Sequence, residues 1–273
     1  MSKYIFIIFA VILIGCSSNS SFIVNGYRNI QKDAILEKDW KLVWEDDFDN
    51  EEIDTTKWTK IPKNTADWGN YMTSDPRCYD INEGKLYLKG IVNSDTIADS
   101  RPYLTGGIYT KGKFAFQYGK IEIRAKLESA KGAWPAIWML AEDKKYGNYP
   151  RNGEIDIMEH LNYDDIIYQT THSYYTLELK QKTKPPYSST SKFDKEVFNT
   201  FGLKWFPDRL VFTLNGEETF TYPRLKNVDP SQWPYDQPFY LLIDQQLEGA
   251  WVGKANPEDL PVQMIVDWVK VYQ

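Results

Sequence analysis

From Trp40 to the end of the chain, apolar and polar residues alternate in short runs, and no stretch carries the apolar stripe of a long helix. Lys85-Leu86-Tyr87-Leu88-Lys89, Lys120-Ile121-Glu122-Ile123-Arg124-Ala125-Lys126 and Leu210-Val211-Phe212-Thr213-Leu214 are examples, and Met264 to Tyr272 is another. A side-chain period of two turns one face of each run to a core and the other to water. Asn215-Gly216 lies between Leu214 and the run Glu218 to Tyr222. That dipeptide favours a tight hairpin, because both residues tolerate positive φ. Many short strands in a chain of this length predict an all-β sandwich of two antiparallel sheets. If one sheet curves, its outer face becomes a groove. No Pro/Gly/Ser-rich linker, charge block or repeat divides this region, so residues 40–273 are expected to form one domain.

Composition removes several function classes. A chain of 273 residues can bury a normal core without a disulfide or metal staple. The net charge of −6 argues against nucleic acid as a partner. Two Cys and two His exclude zinc fingers, iron–sulfur clusters and a disulfide framework. Aromatic residues make up 15% of the chain, with 10 Trp and 19 Tyr, which suits either a large aromatic core or a cleft lined with flat rings for a sugar. At the N-terminus, Lys3 precedes an apolar run from Tyr4 to Ile14, too short for a permanent membrane span but right for a signal peptide. The run ends Leu13-Ile14-Gly15-Cys16, which resembles a bacterial lipobox with Cys16 as the lipidated residue. Residues 1–16 are thus read as a lipoprotein signal peptide and 17–39 as a tether, with a lipid anchor to the bacterial cell envelope. Cys78 would remain as the sole thiol.

The stretch Asn152-Gly153-Glu154-Ile155-Asp156-Ile157-Met158-Glu159-His160 carries the most chemistry. On a regular strand Glu154 and Asp156 share a face, whereas Glu159 would turn to the other side. One extra residue in a β-bulge near Ile157-Met158 brings Glu159 back. Carboxylates this close cannot all ionise cheaply, so at least one pKa must rise. A glycosidase needs such a pair, one ionised carboxylate and one protonated acid. A solvated strand face or a calcium site would use the same residues.

With these neighbours, the chain resembles glycoside hydrolase family 16, in its laminarinase-like branch. The resemblance runs from Trp44-Glu45-Asp46-Asp47-Phe48 through Tyr118-Gly119-Lys120-Ile121-Glu122-Ile123-Arg124 and Trp134-Pro135-Ala136-Ile137-Trp138-Met139-Leu140 to the acidic motif. It ends with Val266-Asp267-Trp268-Val269-Lys270-Val271-Tyr272. It implies a concanavalin-like β-jelly roll with a concave substrate cleft. It implies Glu154 as nucleophile, Asp156 as its electrostatic helper and Glu159 as acid/base, in a retaining double displacement that requires no cofactor. Trp134 and Trp138, four residues apart and so on one strand face, are implied to stack on sugar rings, although core packing would also use them. Trp251 is implied to frame the cleft, Asn70 to sit at its edge and Arg124 to border it, with a surface ion pair as the alternative for Arg124. His172 is implied to hydrogen-bond the acid/base or a sugar hydroxyl, while His160 should face away. A structural calcium is implied at Asp47, the Gly84 carbonyl and Asp267.

The substrate is read less sharply. Tyr103 to Tyr109, Gln169 to Thr176 and Asp244 to Leu247 resemble an endo-β-galactosidase branch acting on poly-N-acetyllactosamine or mucin-type O-glycans. The Trp134–Trp138 and Glu154–Glu159 segments equally suit an endo-β-1,3(4)-glucanase. A monomer that binds a polysaccharide or glycan is expected. A non-catalytic glycan-binding lipoprotein is the alternative from another class, since the same fold serves lectins.

Overall fold

The computed structural model describes residues 40–273, and these form one compact unit. The expected signal peptide and tether, with Cys16, lie outside the described residues. Sixteen strands follow in order. The first eight are β1 (Leu42–Asp46), β2 (Thr59–Lys60), β3 (Tyr79–Asn82), β4 (Lys85–Val92), β5 (Tyr103–Thr105), β6 (Gly107–Tyr109), β7 (Gly119–Leu127) and β8 (Ala133–Ala141). Then come β9 (Glu154–Glu159), β10 (Ile166–His172), β11 (Ser188–Lys192), β12 (Asn199–Trp205), β13 (Arg209–Leu214), β14 (Glu217–Pro223), β15 (Phe239–Leu247) and β16 (Val262–Tyr272). Apart from 3-10 turns, the described residues hold one short helix, α1 (Tyr174–Leu177), closed by a reciprocal cap between Ser173 and Thr176.

The strands make two antiparallel sheets. The outer sheet runs β14-β13-β12-β7-β16-β4-β3, with β1 on β16 and β5 on β4. The second runs β11-β10-β9-β8-β15-β6-β2. β7 shows why the outer sheet forms: Ile121, Ile123, Ala125 and Leu127 point into the core, and Lys120, Glu122, Arg124 and Lys126 point out. The hairpin of β13 and β14 closes through Asn215 (φ 53°) and Gly216 (φ 86°), with Leu214 paired to Glu217. Two positive φ values match the twist of the strands, as the dipeptide predicts.

The core lies between the sheets. Leu86, Leu88, Ile121, Ile123, Phe201, Trp205 and Phe212 meet Ile137, Met139, Ile155, Ile157, Ile243 and Phe239. Each such side chain contributes about 1.5–3 kcal/mol on burial, and β9 is anchored by three of its residues, Ile155, Ile157 and Met158. A rigid strand with its apolar side locked in the core holds its other side in a fixed place. Cys78 is buried, and burial pushes its thiol up to about 12, so it is chemically inert.

Candidate active site

On the face of the second sheet turned away from the core, strand register fixes the neighbours. One row reads Asp244, Ala136, Glu159, Tyr168; the next Leu242, Trp138, Asp156, Thr170; the third Tyr240, Leu140, Glu154, His172. The pairing slips by one residue at Ile157–Met158, between Trp138↔Asp156 and Ile137↔Met158. This bulge turns Glu159 onto the face of Glu154 and Asp156, where all three line a cleft of about 750 Å³.

The acids have few partners besides one another. Asp156 is 2% and Glu159 8% exposed. Trp134 Nε1 donates to Glu159 Oε1 at 2.9 Å, and the Tyr149 hydroxyl bonds Glu154. Burial raises all three carboxyls, Glu154 to about 7, Asp156 well above its usual range and Glu159 to about 8. Hydrogen bonds from Asp156 and Tyr149 pull Glu154 down against that burial. The charge on Glu154 pushes Asp156 and Glu159 further up. Glu154 therefore ionises first, and Asp156 keeps a proton to donate to it.

His172 ends β10 opposite Glu154, with Nε2 at 3.3 Å from Asp156 Oδ2 and 3.8 Å from Glu154 Oε1. The resemblance implied a bond to Glu159 or to a sugar hydroxyl; antiparallel register sets Tyr168 rather than His172 beside Glu159, while His172 lines the cleft. Burial lowers His172 to about 4, so the ring is neutral near pH 7. His160 faces away, buried against Phe193, with Nε2 at 2.7 Å from the Asp164 carbonyl.

Trp134, Trp138 and Trp251 line the cleft. Trp138 is 5% exposed, with Nε1 donating to Asp244 Oδ2 at 2.9 Å. Trp251 is 48% exposed and meets Trp134 and Tyr168 edge-on, at 5.7 and 5.0 Å between centroids. Its loop turns at Gly249 (φ 149°), where a Cβ would fall 2.8 Å from Asp67 Oδ2 and 3.1 Å from the Trp134 ring. Only glycine fits there.

Two sequence expectations are corrected. Arg124 does not border the cleft: it lies on the outer face of β7, paired with Asp267 and stacked 4.7 Å from the Phe198 ring centroid. Its place in the β7 alternation dictates this. Asn70 lines a separate hollow with Asp67, Tyr71 and Glu248, because the 3-10 turn Asp67–Gly69 presents Trp68 to the cleft instead. Trp68, Tyr149, Tyr168, Asp244 and Gln246 line the cleft or brace it and were not expected there. Asp244 and Gln246 lie within a segment already noted for its resemblance, but the continuous burial of β15 hides which of its residues face the cleft.

As for a metal, Asp47 and Gly84 do approach, since a Cβ added at Gly84 would fall 4.0 Å from the Asp47 carbonyl oxygen. Asp267, however, is held by Arg124 and has Lys85 Nζ at 4.0 Å, so the set fits a calcium ion poorly. Ligand atoms of Glu154, Asp156 and His172 lie within 4.8 Å of one another. Binding there would require both carboxyls ionised, which their burial opposes.

A family model described as Glycosyl hydrolases family 16 matches residues 64–270, the acids, the tryptophans and the cleft strands included. The chain belongs to that family. Among curated relatives of this family 16 chain, the keratan-sulfate endo-1,4-beta-galactosidase of Sphingobacterium multivorum is 36% identical over 88% of the chain. The chain spans 57% of that relative's length. The beta-glucanase of Rhodothermus marinus is 33% identical, over 86% of the chain and 85% of the relative. Among solved structures, the laminarinase from Rhodothermus marinus superposes with a TM-score of 0.77 at 30% identity, over 86% of this chain and 97% of that one. SCLam, a non-specific endo-beta-1,3(4)-glucanase co-crystallised with 1,3-beta-D-cellotriosyl-glucose, gives 0.76 at 30% identity, over 87% and 96%. The two-sheet sandwich is therefore the jelly roll of family 16.

Proposed function

We propose that this chain is a retaining, endo-acting glycoside hydrolase that cleaves internal β-galactosidic bonds in glycans of the poly-N-acetyllactosamine type. The observation that carries the reaction is the bulged strand β9, which sets three carboxyls with unequal proton affinities on the floor of one aromatic-walled cleft. Ionised Glu154 attacks the anomeric carbon while Glu159 gives its proton to the departing glycosidic oxygen. The bond from carbon to that oxygen breaks as the ester to Glu154 forms. Glu159, now ionised, takes a proton from water, and that water's oxygen displaces Glu154. Two displacements retain the anomeric configuration. Asp156 holds its proton toward Glu154 and steadies the carboxylate as it leaves and returns. An open groove passes a chain through, so the cuts are internal.

The galactoside preference is supported by the 36% identity to the keratan-sulfate endo-1,4-beta-galactosidase. An endo-β-1,3(4)-glucanase is the second reading, favoured by the Rhodothermus marinus relative and by the laminarinase folds. The same proposal ties the enzyme to a bacterial envelope through Cys16, on the strength of the apolar run and Leu13-Ile14-Gly15-Cys16. The test is product release from keratan, mucin glycans, laminarin and mixed-linkage glucan by wild type and Glu154→Gln. Oligosaccharides from the galactose polymers, absent with the variant, are expected. Release from laminarin alone would transfer the assignment to the second reading. Equal release by the variant would remove Glu154 as nucleophile.

A further inference from the structure

Beside the three acids, the cleft holds a buried polar pair, Asp244 and Gln246, that the reaction does not use. Asp244, fully buried on β15, accepts from Trp138 Nε1 at 2.9 Å on one oxygen and from Gln246 Nε2 at 2.7 Å on the other. The second bond fixes the Gln246 amide. With Nε2 committed to the carboxylate, Oε1 is the half turned away from Asp244. Gln246 lines the cleft and is 2% exposed, yet its Oε1 has no hydrogen-bond partner among the described residues. A buried acceptor without a donor has lost its water and gained nothing. Its cross-strand neighbour is Trp134, which also lines the cleft and bonds Glu159.

On the glycosidase reading above, we infer that Gln246 is a specificity-determining residue, whose Oε1 accepts a hydrogen bond from a hydroxyl or acetamido N–H of the sugar unit packed against Trp134, with Asp244 as the residue that orients it. What Gln246 Oε1 lacks is a donor. A sulfate ester brings only acceptors in turn, so the unit seated there presents a free donor. A site built around a polar group rejects ligands that leave that group unpaired more sharply than an apolar pocket can.

Gln246→Met keeps the length of the side chain and removes the acceptor. It is expected to lower kcat/KM on the preferred unsulfated polymer by about tenfold or more, with a somewhat lowered thermal midpoint, because the Nε2 donor to buried Asp244 is lost as well. Gln246→Glu is the conservative rescue. Protonated, it donates to Asp244 and still presents a carbonyl oxygen, so it should work within a few-fold of wild type at acid pH and fail as it ionises. If Gln246→Met does not fold, that pH-dependent rescue carries the test. Wild-type kcat/KM in Gln246→Met, on every polymer the wild type cleaves, would overturn the inference and leave the glycosidase reading standing. Inactivity of the wild type itself on all polymers would overturn that reading, and the role of Gln246 with it.

Discussion

The two sheets of this jelly roll handle charge in opposite ways. On the outer sheet, acids meet cations: Glu122 lies 2.9 Å from Lys120, Glu218 lies 3.2 Å from Lys204, and Asp267 pairs with Arg124. Those pairs are partly exposed, and β7 and β16 alternate core on one face and water on the other, with one break in β16 at the Asp267 bulge. On the cleft sheet, acids meet other acids, aromatic N–H groups and a neutral histidine. There β9 and β15 are buried on both faces. Surface pairs in water contribute little and need little. Carboxyls withheld from both water and cations hold their protons to higher pH, and proton retention by one of them is what makes an acid catalyst. The difference lies in which face of which sheet a residue occupies, since both sheets use the same residue types.

Removing one acid from the cleft should have the largest effect. Glu159→Gln is expected to lower kcat by about 10²–10⁴ and to abolish the alkaline fall in activity that wild type shows as Glu159 loses its proton near pH 8. Stability should respond in the same direction. Glu159 binds its proton more tightly folded than unfolded, so its contribution is complete below about pH 4.5 and is lost as pH rises through about 8. Thermal midpoints across that window should fall less in Glu159→Gln than in wild type, and equal slopes would show that Glu159 is not the strained proton carrier.

Trp251 tests the cleft wall. Half exposed, it adds little to the core, so Trp251→Ala should raise KM by about 2–10-fold with little change in kcat or melting. A large loss of stability would make it a packing residue instead. The smallest effect is expected on the outer sheet. Arg124→Gln breaks a solvent-facing pair and should cost about 1 kcal/mol or less in denaturant unfolding, with kcat and KM unchanged. Loss of activity there would mean that the two sheets are not independent.

How far the molecule could be read from its sequence follows the same division. The outer strands announce themselves, because one wet face forces alternation: Ile121, Ile123 and Ala125 against Lys120, Glu122 and Arg124. That alternation also contained the correction for Arg124, which had to face away from the second sheet. The acidic strand was legible because a third carboxyl out of phase demands a bulge. β15 was not. Phe239-Tyr240-Leu241-Leu242-Ile243 carries no period, since both its faces are covered. Which way Asp244 and Gln246 point is settled only by register with β8. Tyr149 comes from the loop that leads into β9 and turns back on Glu154, with no residue pattern to mark it. Asn70 was misplaced for a similar reason, as a 3-10 turn sets its direction.

The central claim, that Glu154 and Glu159 act in turn on one anomeric carbon, is tested most directly by proton NMR of the first products released from a cleaved polymer, before mutarotation. Retention requires the β-anomer to appear first and the α-anomer to grow in afterwards. An α-anomer appearing first would mean a single displacement by water, and would contradict the role given to Glu154.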